Sequence, residues 1–460
     1  MMPRSALHGH RRRIRWLSLL TGSGSNAHSI RTLAVSLTIM AVNLITGIAT
    51  ARYLGPSGKG YATAMTLCAT VMANCFMLGL PSALLFNMKK RPEQAAAHYG
   101  SALAVVGAAG LTAVVAGFFL LPLWLDGYPP GIVAAARLFL LTVPVLLAEY
   151  ANNAALQAMG EFNTFNVLRM LPHLGTCACL AALMASGMLD PYWTALAYGL
   201  PTVPITLALT VRLWRKHAPR LRSIRTSLRP LLRYGSRSAG NDLMGTLSLY
   251  ADQLVVALFL SSKELGLYLV VLSLSRVVNV AQSALVMVLF PKAAGMEPGK
   301  AAELVKRLFR VSIWGTMLIA AAFMLVGPWL IRTLYGPAYG EAVPVYRLLL
   351  LEVVLSGAAL VLSQSFMSAG KPGVCSLQQS VGLGVLLTLL VGLAPRFGIV
   401  GAGVSLLSAT AVRFGIVWLA YPRVLKIGLP GFWPTLEDIR WLIANVTAGG
   451  RGRYTAGSGS

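Results

Sequence analysis

Charged residues are scarce in this sequence. They make up 12% of its 460 residues, and only 14 of these are Asp or Glu, against 39 Lys and Arg. A soluble globular chain carries about a quarter charged residues, so this composition excludes an ordinary soluble domain. Hydrophobic residues account for 56% of the chain, and the mean hydropathy is +0.68. Most of the sequence is therefore predicted to face lipid or other apolar helices.

Cysteines are also few, odd in number and confined to apolar stretches: Cys68, Cys75, Cys177, Cys179 and Cys375. They predict no disulfide framework. Cys177 and Cys179 point to different faces of a helix because they are two residues apart, so they predict no metal site. The sequence contains no Gly-x4-Gly-Lys-Ser/Thr pattern, which argues against direct use of ATP. We expect no cofactor; Na⁺ or H⁺ is a candidate coupling ion.

What the sequence has in abundance is apolar stretches of helical length. About 20 apolar residues span the hydrocarbon core of a bilayer, and stretches of that length recur along nearly the whole chain. They predict about twelve membrane helices, near residues 31–52, 61–86, 100–124, 132–157, 164–187, 192–214, 235–260, 266–290, 307–332, 342–368, 374–394 and 399–421. The fold class is therefore all-α and integral to the membrane. The stretch 432–445 alternates apolar and charged residues and is interpreted as an interfacial helix.

The net charge of +25 has two interpretations. Nucleic-acid binding needs a basic face on a folded domain, whereas these Lys and Arg residues lie mostly in short loops, so no nucleic-acid partner is expected. They cluster in the N-terminal arm, in 212–233 and in 292–310, which fall on one side of the predicted membrane. By the positive-inside rule that side is cytoplasmic. We expect a multi-pass protein of the bacterial inner membrane with both termini in the cytoplasm and membrane lipids as partners.

A weak internal repeat divides the chain. Ala51-Arg52-Tyr53-Leu54, followed by Gly60, recurs as Ala257-Leu258-Phe259-Leu260, followed by Gly266 at the same spacing. This predicts two parallel six-helix bundles; chance similarity between apolar helices is the alternative. The predicted regions are a basic cytoplasmic arm at 1–30, a first bundle at 31–214, a basic cytoplasmic linker at 215–233, a second bundle at 234–421 and a cytoplasmic or interfacial tail at 422–460.

Ionisable residues inside membrane helices are costly and indicate function. Arg276 lies about ten residues into the eighth predicted span, close to the midplane, with Asn279 and Ser283 on the same face of a continuous helix. We interpret Arg276 and Asn279 as ligands of an anionic substrate. An ion pair between Arg276 and Asp252 or a glutamate is the structural alternative.

Two further spans carry polar stripes. The seventh holds Asn241, Gly245, Ser248 and Asp252 along one face, and the first holds a stripe that includes Ser36 and Asn43. Such stripes either line a water-filled cavity or permit close helix packing. Asn241, Ser248 and Asn43 are substrate-binding candidates, and Asp252 is a candidate for ion coupling.

The fourth and tenth spans carry related charges. Arg137 and Arg347 occupy equivalent positions of the repeat and are substrate-binding candidates, with snorkelling to the interface as the alternative. Glu149 and Glu352 are candidates for ion coupling. Arg413, in the last span, is interpreted as a snorkelling residue because it lies about two turns from the cytoplasm.

Several motifs recur in an order and at spacings typical of one family. They are Ala51-Arg52-Tyr53-Leu54-Gly55-Pro56, Leu78-Gly79-Leu80-Pro81-Ser82-Ala83, Gly266-Leu267-Tyr268, Tyr335-Gly336-Pro337-Ala338-Tyr339, Ala369-Gly370-Lys371-Pro372 and Phe397-Gly398-Ile399-Val400-Gly401-Ala402. The chain resembles lipid-linked oligosaccharide flippases and polysaccharide transporters of the multidrug/oligosaccharidyl-lipid/polysaccharide (MOP) exporter superfamily. The resemblance covers most of its length.

The resemblance implies a V-shaped pair of bundles around a central lumen, alternating access and a polyprenyl-pyrophosphate-linked glycan as cargo. Murein-precursor flippases of this superfamily carry arginines in their first span, which here holds Met40, Asn43 and Thr46. This departure favours a flippase for a capsule, exopolysaccharide or O-antigen repeat unit, working with other polysaccharide assembly proteins and without enzymatic activity. A multidrug cation antiporter of the same fold and a membrane glycan polymerase or ligase are the alternatives.

Overall fold

The computed structural model describes residues 25–217, 221–279, 282, 298–435 and 437–438. Within these ranges nine helices are long and apolar enough to cross a membrane. Two of them cover two predicted spans each: the 53-residue Gly373–Leu425 contains both of its spans, and the 45-residue Arg31–Cys75 contains the first span and the first part of the second. The nine helices therefore account for eleven predicted spans. The twelfth, 266–290, is described only in part. The prediction of an all-α membrane protein is confirmed.

The regular elements of the described ranges are helices. They are α1 Ser25–Cys75, α2 Leu80–Lys90, α3 Ala95–Trp124, α4 Pro130–Phe139, α5 Val143–Ala158, α6 Phe162–Ala185, α7 Pro191–Gly199, α8 Thr202–His217, α9 Leu221–Phe259, α10 Ser262–Arg276, α11 Pro298–Leu330, α12 Val343–Ser368 and α13 Gly373–Ala420. Short 3₁₀ segments join them at Pro92–Gln94, Leu140–Thr142 and Pro337–Ala342, and π-helical turns follow α11 and α13 at Ile331–Tyr335 and Tyr421–Leu425.

Glycines bend the two longest helices between their predicted spans. Gly55 in α1 has φ 68°, and Gly398 in α13 has φ 58°. This left-handed conformation is open to glycine and costly for residues with a Cβ. Pro56 follows the first bend directly and lacks the N–H that a continuous helix would need. Each bend therefore lets the chain turn back without a long loop.

The second predicted span is broken, contrary to the continuous helix expected at 61–86. Helix α1 ends at Cys75 and α2 begins at Leu80. Between them Leu78 and Gly79 both have positive φ, at 51° and 69°. The backbone at this break approaches α9 so closely that a Cβ on Gly79 would collide with the Gly235 carbonyl oxygen. Hydropathy does not reveal the break because the residues on both sides remain apolar.

By packing, the chain forms two compact units. Unit 1 contains residues 1–270 and 334–338, and unit 2 contains 271–333 and the remainder. In unit 1, α1 packs on α4, α6 and α7, and α9 packs on α2 and α3; in unit 2, α12 packs on both α11 and α13. This division concerns contacts, not sequence similarity, so the bundle limits inferred from the repeat stay a prediction.

The two glycines of the sequence repeat meet inside unit 1. A Cβ on Gly60 would collide with the Ser262 carbonyl oxygen, and a Cβ on Gly266 would collide with the Pro56 carbonyl oxygen. The same Cβ on Gly266 would lie 3.1 Å from the Gly60 nitrogen. Two equivalent turns of the repeat therefore pack backbone to backbone, which small residues permit.

In unit 2 a segment after α13 packs across α11 and α13. Residues 430–435 form no helix. The Trp418 and Trp314 indoles donate hydrogen bonds to the carbonyl oxygens of Pro430 and Phe432, at 3.0 and 2.9 Å. We call residues 430–435 with 437–438 the C-terminal strap. Its first part is therefore a packed strap and not the interfacial helix expected from the sequence; residues beyond 438 lie outside the described part.

Candidate functional site

Polar side chains join the N-terminal parts of α1 and α6 in unit 1. The hydrogen bonds run from Arg31 Nη1 to Asn163 Oδ1 at 3.0 Å, from Asn166 Nδ2 to Thr32 Oγ1 at 3.1 Å and from Arg169 Nη1 to Ser36 Oγ at 3.2 Å. We call these six residues the polar ladder. Ser36, a residue of the predicted stripe of the first span, thus accepts a hydrogen bond from an arginine of α6.

Arg169 is under the electrostatic influence of a carboxylate on another helix. It interacts electrostatically with Glu149 of α5, whose carboxylate also accepts a hydrogen bond from the Asn153 amide. Arg169 lies seven residues after the start of α6 at Phe162, about 10 Å along the helix. Glu149 lies nine residues before the end of α5, about 14 Å along it. The pair therefore lies at a similar depth on two helices joined by the short turn at 159–161.

Unit 1 also contains a cavity of about 260 Å³. Its hydroxyl-bearing lining residues are Thr66, Thr70, Thr142, Tyr198 and Thr202. Beside it, Lys59 folds back into the unit: its Nζ donates to Thr50 Oγ1 at 2.9 Å and lies 5.1 Å from the centre of the Tyr198 ring. Lys59 is therefore held by side chains of the unit and does not simply extend into solvent.

Unit 2 contains a larger cavity of about 420 Å³. Its polar lining comes from four segments: Asn279 after α10, Ser356, Ser363 and Gln364 on α12, Cys375, Gln378 and Gln379 early in α13, and Arg413 late in α13. We call it the unit 2 cavity. Amides and hydroxyls dominate its polar groups, with one guanidinium.

Arg413 is held at the wall of the unit 2 cavity by two features of the sequence. Gly382, on the first half of α13, leaves room for it, because a Cβ there would collide with Cγ and Cδ of the arginine. Glu352 interacts with Arg413 electrostatically, and its Oε1 accepts a hydrogen bond from Thr410 Oγ1 at 2.9 Å. Arg413 therefore lines an internal cavity, which corrects its interpretation as a snorkelling residue.

One of the two predicted anion ligands lines a cavity. Asn279 lines the unit 2 cavity, but Arg276 is the last residue of α10, half-buried and outside the lining of both cavities. A turn at Val277–Val278 follows α10. The N–H groups of these two residues donate hydrogen bonds to carbonyl oxygens three residues earlier, at 3.3 and 3.2 Å. The shared helix face of Arg276 and Asn279 stays a prediction; Ser283 lies outside the described residues.

The remaining candidates are dispersed. The Arg137 guanidinium lies 4.7 Å from the centre of the Phe118 ring, and Arg347 and Asn43 are exposed. Ser248 is half-buried on α9, and the side chain of Asn241 lies outside the described part of the chain. Their roles stay predictions.

Asp252 is buried at the contact of α9 and α10. Its Oδ2 accepts a hydrogen bond from the Tyr268 hydroxyl at 2.8 Å, and its Oδ1 accepts one from the backbone N–H of Gln253 at 2.9 Å. The carboxylate therefore faces helix packing and lines neither cavity. Its coupling role also stays a prediction.

Sequence reasoning missed Arg169 entirely. Its signal was present, since an arginine inside an apolar span of α6 is costly unless it is paired or functional. For Arg413 the signal was a polar pair, Gln378-Gln379, followed by a small residue, Gly382, on the first half of α13. Neither pattern shows which helix lies opposite, so the partners could be found only in the fold.

The solved structures that resemble this chain are membrane transporters. A lipid II flippase, MurJ, in an inward closed conformation superposes with a TM-score of 0.75 at 10% identity, covering 92% of this chain and 93% of the other. An inward-facing multidrug resistance MATE family transporter of the MOP superfamily superposes with a TM-score of 0.68 at 16% identity, covering 86% and 98%. The chain has the fold of MOP superfamily transporters, as predicted.

The family is shown by sequence. The family model described as polysaccharide biosynthesis protein matches residues 49–344, more than half of the chain, so this chain belongs to that family. It is also 23% identical over 304 residues to a probable low-salt glycan biosynthesis flippase, Agl15, of Haloferax volcanii. That match covers 62% of this chain and spans only 60% of the relative's length.

Proposed function

We propose that this protein carries a polyprenyl-pyrophosphate-linked oligosaccharide, the repeat unit of a polysaccharide, from the inner to the outer leaflet by alternating access. The observation that carries the proposal is Arg169, an arginine of a membrane helix whose guanidinium donates a hydrogen bond to Ser36 and interacts electrostatically with Glu149. Charged residues within membrane spans are rare, usually pair with one another and often mark a substrate or ion path. The family and the glycan flippase relative support the same cargo.

The chemistry of the cargo explains why such groups are needed. A glycan headgroup cannot cross hydrocarbon unaided, because each unpaired polar group costs several kcal/mol. Arginine matches phosphate oxygens with paired N–H donors. Its bond to Ser36 uses one of five guanidinium N–H groups, so Arg169 has the donors to bind a pyrophosphate as well. Transport requires no covalent step, so no enzymatic activity is proposed.

The driving force follows from the charges. The membrane potential would act on the charged cargo and on the polar interior. Protonation of, or Na⁺ binding to, Glu149, Glu352 or Asp252 would couple transport to an ion gradient. We propose these three as coupling residues, and Arg276 and Asn279, with the dispersed candidates, as further contacts of the cargo along its path.

The experiment compares Arg169→Ala and Arg169→Lys with wild-type protein in vesicles that contain a fluorescent lipid-linked oligosaccharide. We expect Arg169→Ala to abolish flipping and Arg169→Lys to restore part of it, because lysine keeps the charge without the paired donors. Arg396→Ala is the matched control, since Arg396 is exposed near the bend of α13. Wild-type flipping by folded Arg169→Ala would overturn the assignment of Arg169.

The orientation is part of the proposal. We place both termini and the 215–233 linker in the cytoplasm of a bacterial cell, with the chain in the inner membrane. In a cysteine-free background, a membrane-impermeant maleimide added to intact cells should label Lys263→Cys and not Arg222→Cys. The reverse pattern would invert the direction of transport.

The same vesicles address the multidrug alternative, which the MATE superposition raises. A cation antiporter should move a cationic dye against a proton or sodium gradient and ignore the lipid-linked glycan. We expect no gradient-driven dye transport. A glycan polymerase or ligase would instead lengthen or transfer the labelled glycan, which chromatography of the recovered lipid would detect.

A further inference from the structure

The unit 2 cavity contains buried polar atoms that have no protein partner. Among the described residues, Arg413 Nε and Gln378 Oε1 are buried without a hydrogen-bond partner. Gln378 is 5% exposed, and its Nε2 donates to Ser363 Oγ at 3.0 Å. A buried donor or acceptor without a partner costs about 1–3 kcal/mol. Gln378 and Arg413, which both line this cavity, therefore retain hydrogen-bonding groups that the described protein residues do not use.

The charge of the cavity argues against a phosphate ligand. Arg413 is its only charged lining residue within the described chain, and Glu352, which is not among the lining residues, interacts with that guanidinium electrostatically. Glu352 is also buried, at 9% exposure. The positive and negative charges therefore nearly cancel. A pyrophosphate would meet a carboxylate close to its only cation, whereas a neutral ligand would not be repelled.

The lining chemistry fits hydroxyl groups. A glutamine amide offers two donors and one acceptor oxygen, and a sugar hydroxyl both donates and accepts. Gln364, Gln378 and Gln379 supply such amides, and Leu360 and Met367 add apolar surface on which the C–H face of a sugar ring can pack. A volume of about 420 Å³ lies in the usual range of ligand pockets, roughly 300–1,000 Å³.

We propose that the unit 2 cavity binds a neutral sugar of the glycan headgroup through the amides of Gln364, Gln378 and Gln379 and the guanidinium of Arg413. This inference rests on the proposed function and deepens it. It assigns sugar recognition to α12 and α13 of unit 2, while phosphate recognition is proposed at Arg169. Recognition of the glycan and of its pyrophosphate would then use different groups of the chain.

Cys375 provides a reporter inside the site. It lines the cavity, is half-buried, and its thiol lies 3.7 Å from the Ser363 carbonyl oxygen. In full-length protein with the other four cysteines replaced by alanine, the rate of alkylation by N-ethylmaleimide measures access to this cavity. A variant that keeps only Cys177 on α6 serves as the labelling control, because that residue lies in unit 1.

Two probes separate sugar from phosphate. One is the lipid-linked glycan pool extracted from the source organism's membranes, and the other is polyprenyl pyrophosphate without a sugar. We expect the glycan pool to slow alkylation of Cys375, polyprenyl pyrophosphate to have little effect, and Cys177 to be unaffected by both. Equal protection by both probes would reassign the cavity to the pyrophosphate, and no protection by either would overturn the proposal.

Substitutions test the named groups. Gln379→Leu and Gln378→Leu should each weaken protection by the glycan pool about tenfold, because each removes a hydrogen bond to the ligand. Gln157→Leu, a glutamine of α5 in unit 1, is the matched control. Gln379 is less buried than Gln378. The Gln379→Leu variant therefore keeps the test valid if Gln378→Leu fails to fold. Unchanged protection in folded Gln379→Leu and Gln378→Leu would contradict the assignment.

Failure of this inference can be told from failure of the proposed function. Wild-type protein that flips the fluorescent lipid-linked oligosaccharide in vesicles, while Cys375 stays unprotected, would disprove only the sugar site. Protein that neither flips the lipid nor shows protection would disprove both.

Discussion

The Arg310 guanidinium donates two hydrogen bonds to the Asp438 carboxylate, from Nε at 2.7 Å and from Nη2 at 2.9 Å. Arg307 Nε adds a third at 2.9 Å, and the Asp438 side chain is fully buried beneath these contacts. The Thr435 amide also donates to this carboxylate, at 2.9 Å. The C-terminal strap is thus fixed to α11 by one acid and two arginines.

The first prediction is that Asp438→Asn loosens the strap. Arg310 and the Thr435 amide hold the pKa of Asp438 well below its usual range. Hydrogen bonds to a charged group contribute about 1.5–3 kcal/mol, discounted here because Arg307 is 32% exposed. We expect the free energy of unfolding to fall by about 1–2 kcal/mol, measured as a lower melting temperature in detergent. Glu437→Gln is the control, since Glu437 is 84% exposed and 3.9 Å from Arg307.

The same pair predicts a direction with pH. A carboxyl whose pKa is lower in the folded state than the unfolded value of about 3.9 stabilises the fold above that value. The contribution is lost as pH falls below about 4 toward the folded pKa. The stability difference between wild type and Asp438→Asn should therefore shrink on acidification. A difference that stays constant down to that range would show that the carboxylate charge is not responsible.

The second prediction concerns Arg276. If it binds the pyrophosphate, Arg276→Ala should abolish flipping and leave the protein folded, and Arg276→Lys should recover part of the activity. If it is half of a buried ion pair, its removal should cost about 3–5 kcal/mol and lower the melting temperature. Flipping and thermal stability are measured on the same preparations. Flipping at the wild-type rate would exclude the ligand role.

The third prediction separates coupling from packing at Asp252. Asparagine at this position keeps an acceptor for the Tyr268 hydroxyl but cannot take up a proton. We expect Asp252→Asn to express normally and to lose the dependence of flipping on the proton or sodium gradient. Tyr268→Phe is the control, since it removes the hydrogen bond and keeps the carboxylate. Full gradient-driven flipping by Asp252→Asn would retire the coupling role.

The fourth prediction concerns the contact of Gly60 with Gly266. Gly266→Ala should force the two turns apart, because its Cβ would collide with the Pro56 carbonyl oxygen. Overpacking of this kind costs about 1–3 kcal/mol. In a cysteine-free background, Ser262→Cys should then be labelled faster by a maleimide. Gly127→Ala is the control, because a Cβ there would meet nothing within 4 Å. Unchanged labelling with unchanged stability would show that the contact is not tight.

The sequence predicted the membrane helices well because hydrocarbon leaves few options. A backbone in lipid must satisfy its own hydrogen bonds, so an apolar stretch of sufficient length is a helix. Hydropathy gave no sign of the break at Leu78 and Gly79, where positive φ in two successive residues interrupts an apolar span. The apolar stretch 266–290 was likewise predicted to be one helix, although α10 ends at Arg276.

The candidate sites were harder to predict, since each depends on the angular positions of several helices. Arg413 has the same distance from the membrane surface whether it points to lipid or to a cavity. Gly382 and Glu352 determine that its side chain lines the cavity. Neither lies on the second half of α13, which carries Arg413. The Arg169–Glu149 pair likewise needs the packing of α5, α6 and α1. Depth can be read along one sequence, whereas direction requires the neighbouring helices.

The contact between Gly60 and Gly266 has a thermodynamic consequence. The turn at Gly60 and the turn at Gly266 pack directly against each other. If alanine at one glycine pushes the two turns apart, the space so created also accommodates a Cβ at the other glycine. Substitutions in direct contact commonly show interaction free energies of about 0.5–3 kcal/mol. The double variant should therefore lose less stability than the two single variants together. The paired turns would then act as a single energetic unit that two distant parts of the sequence share, and neither glycine has a stabilising effect separable from the other's.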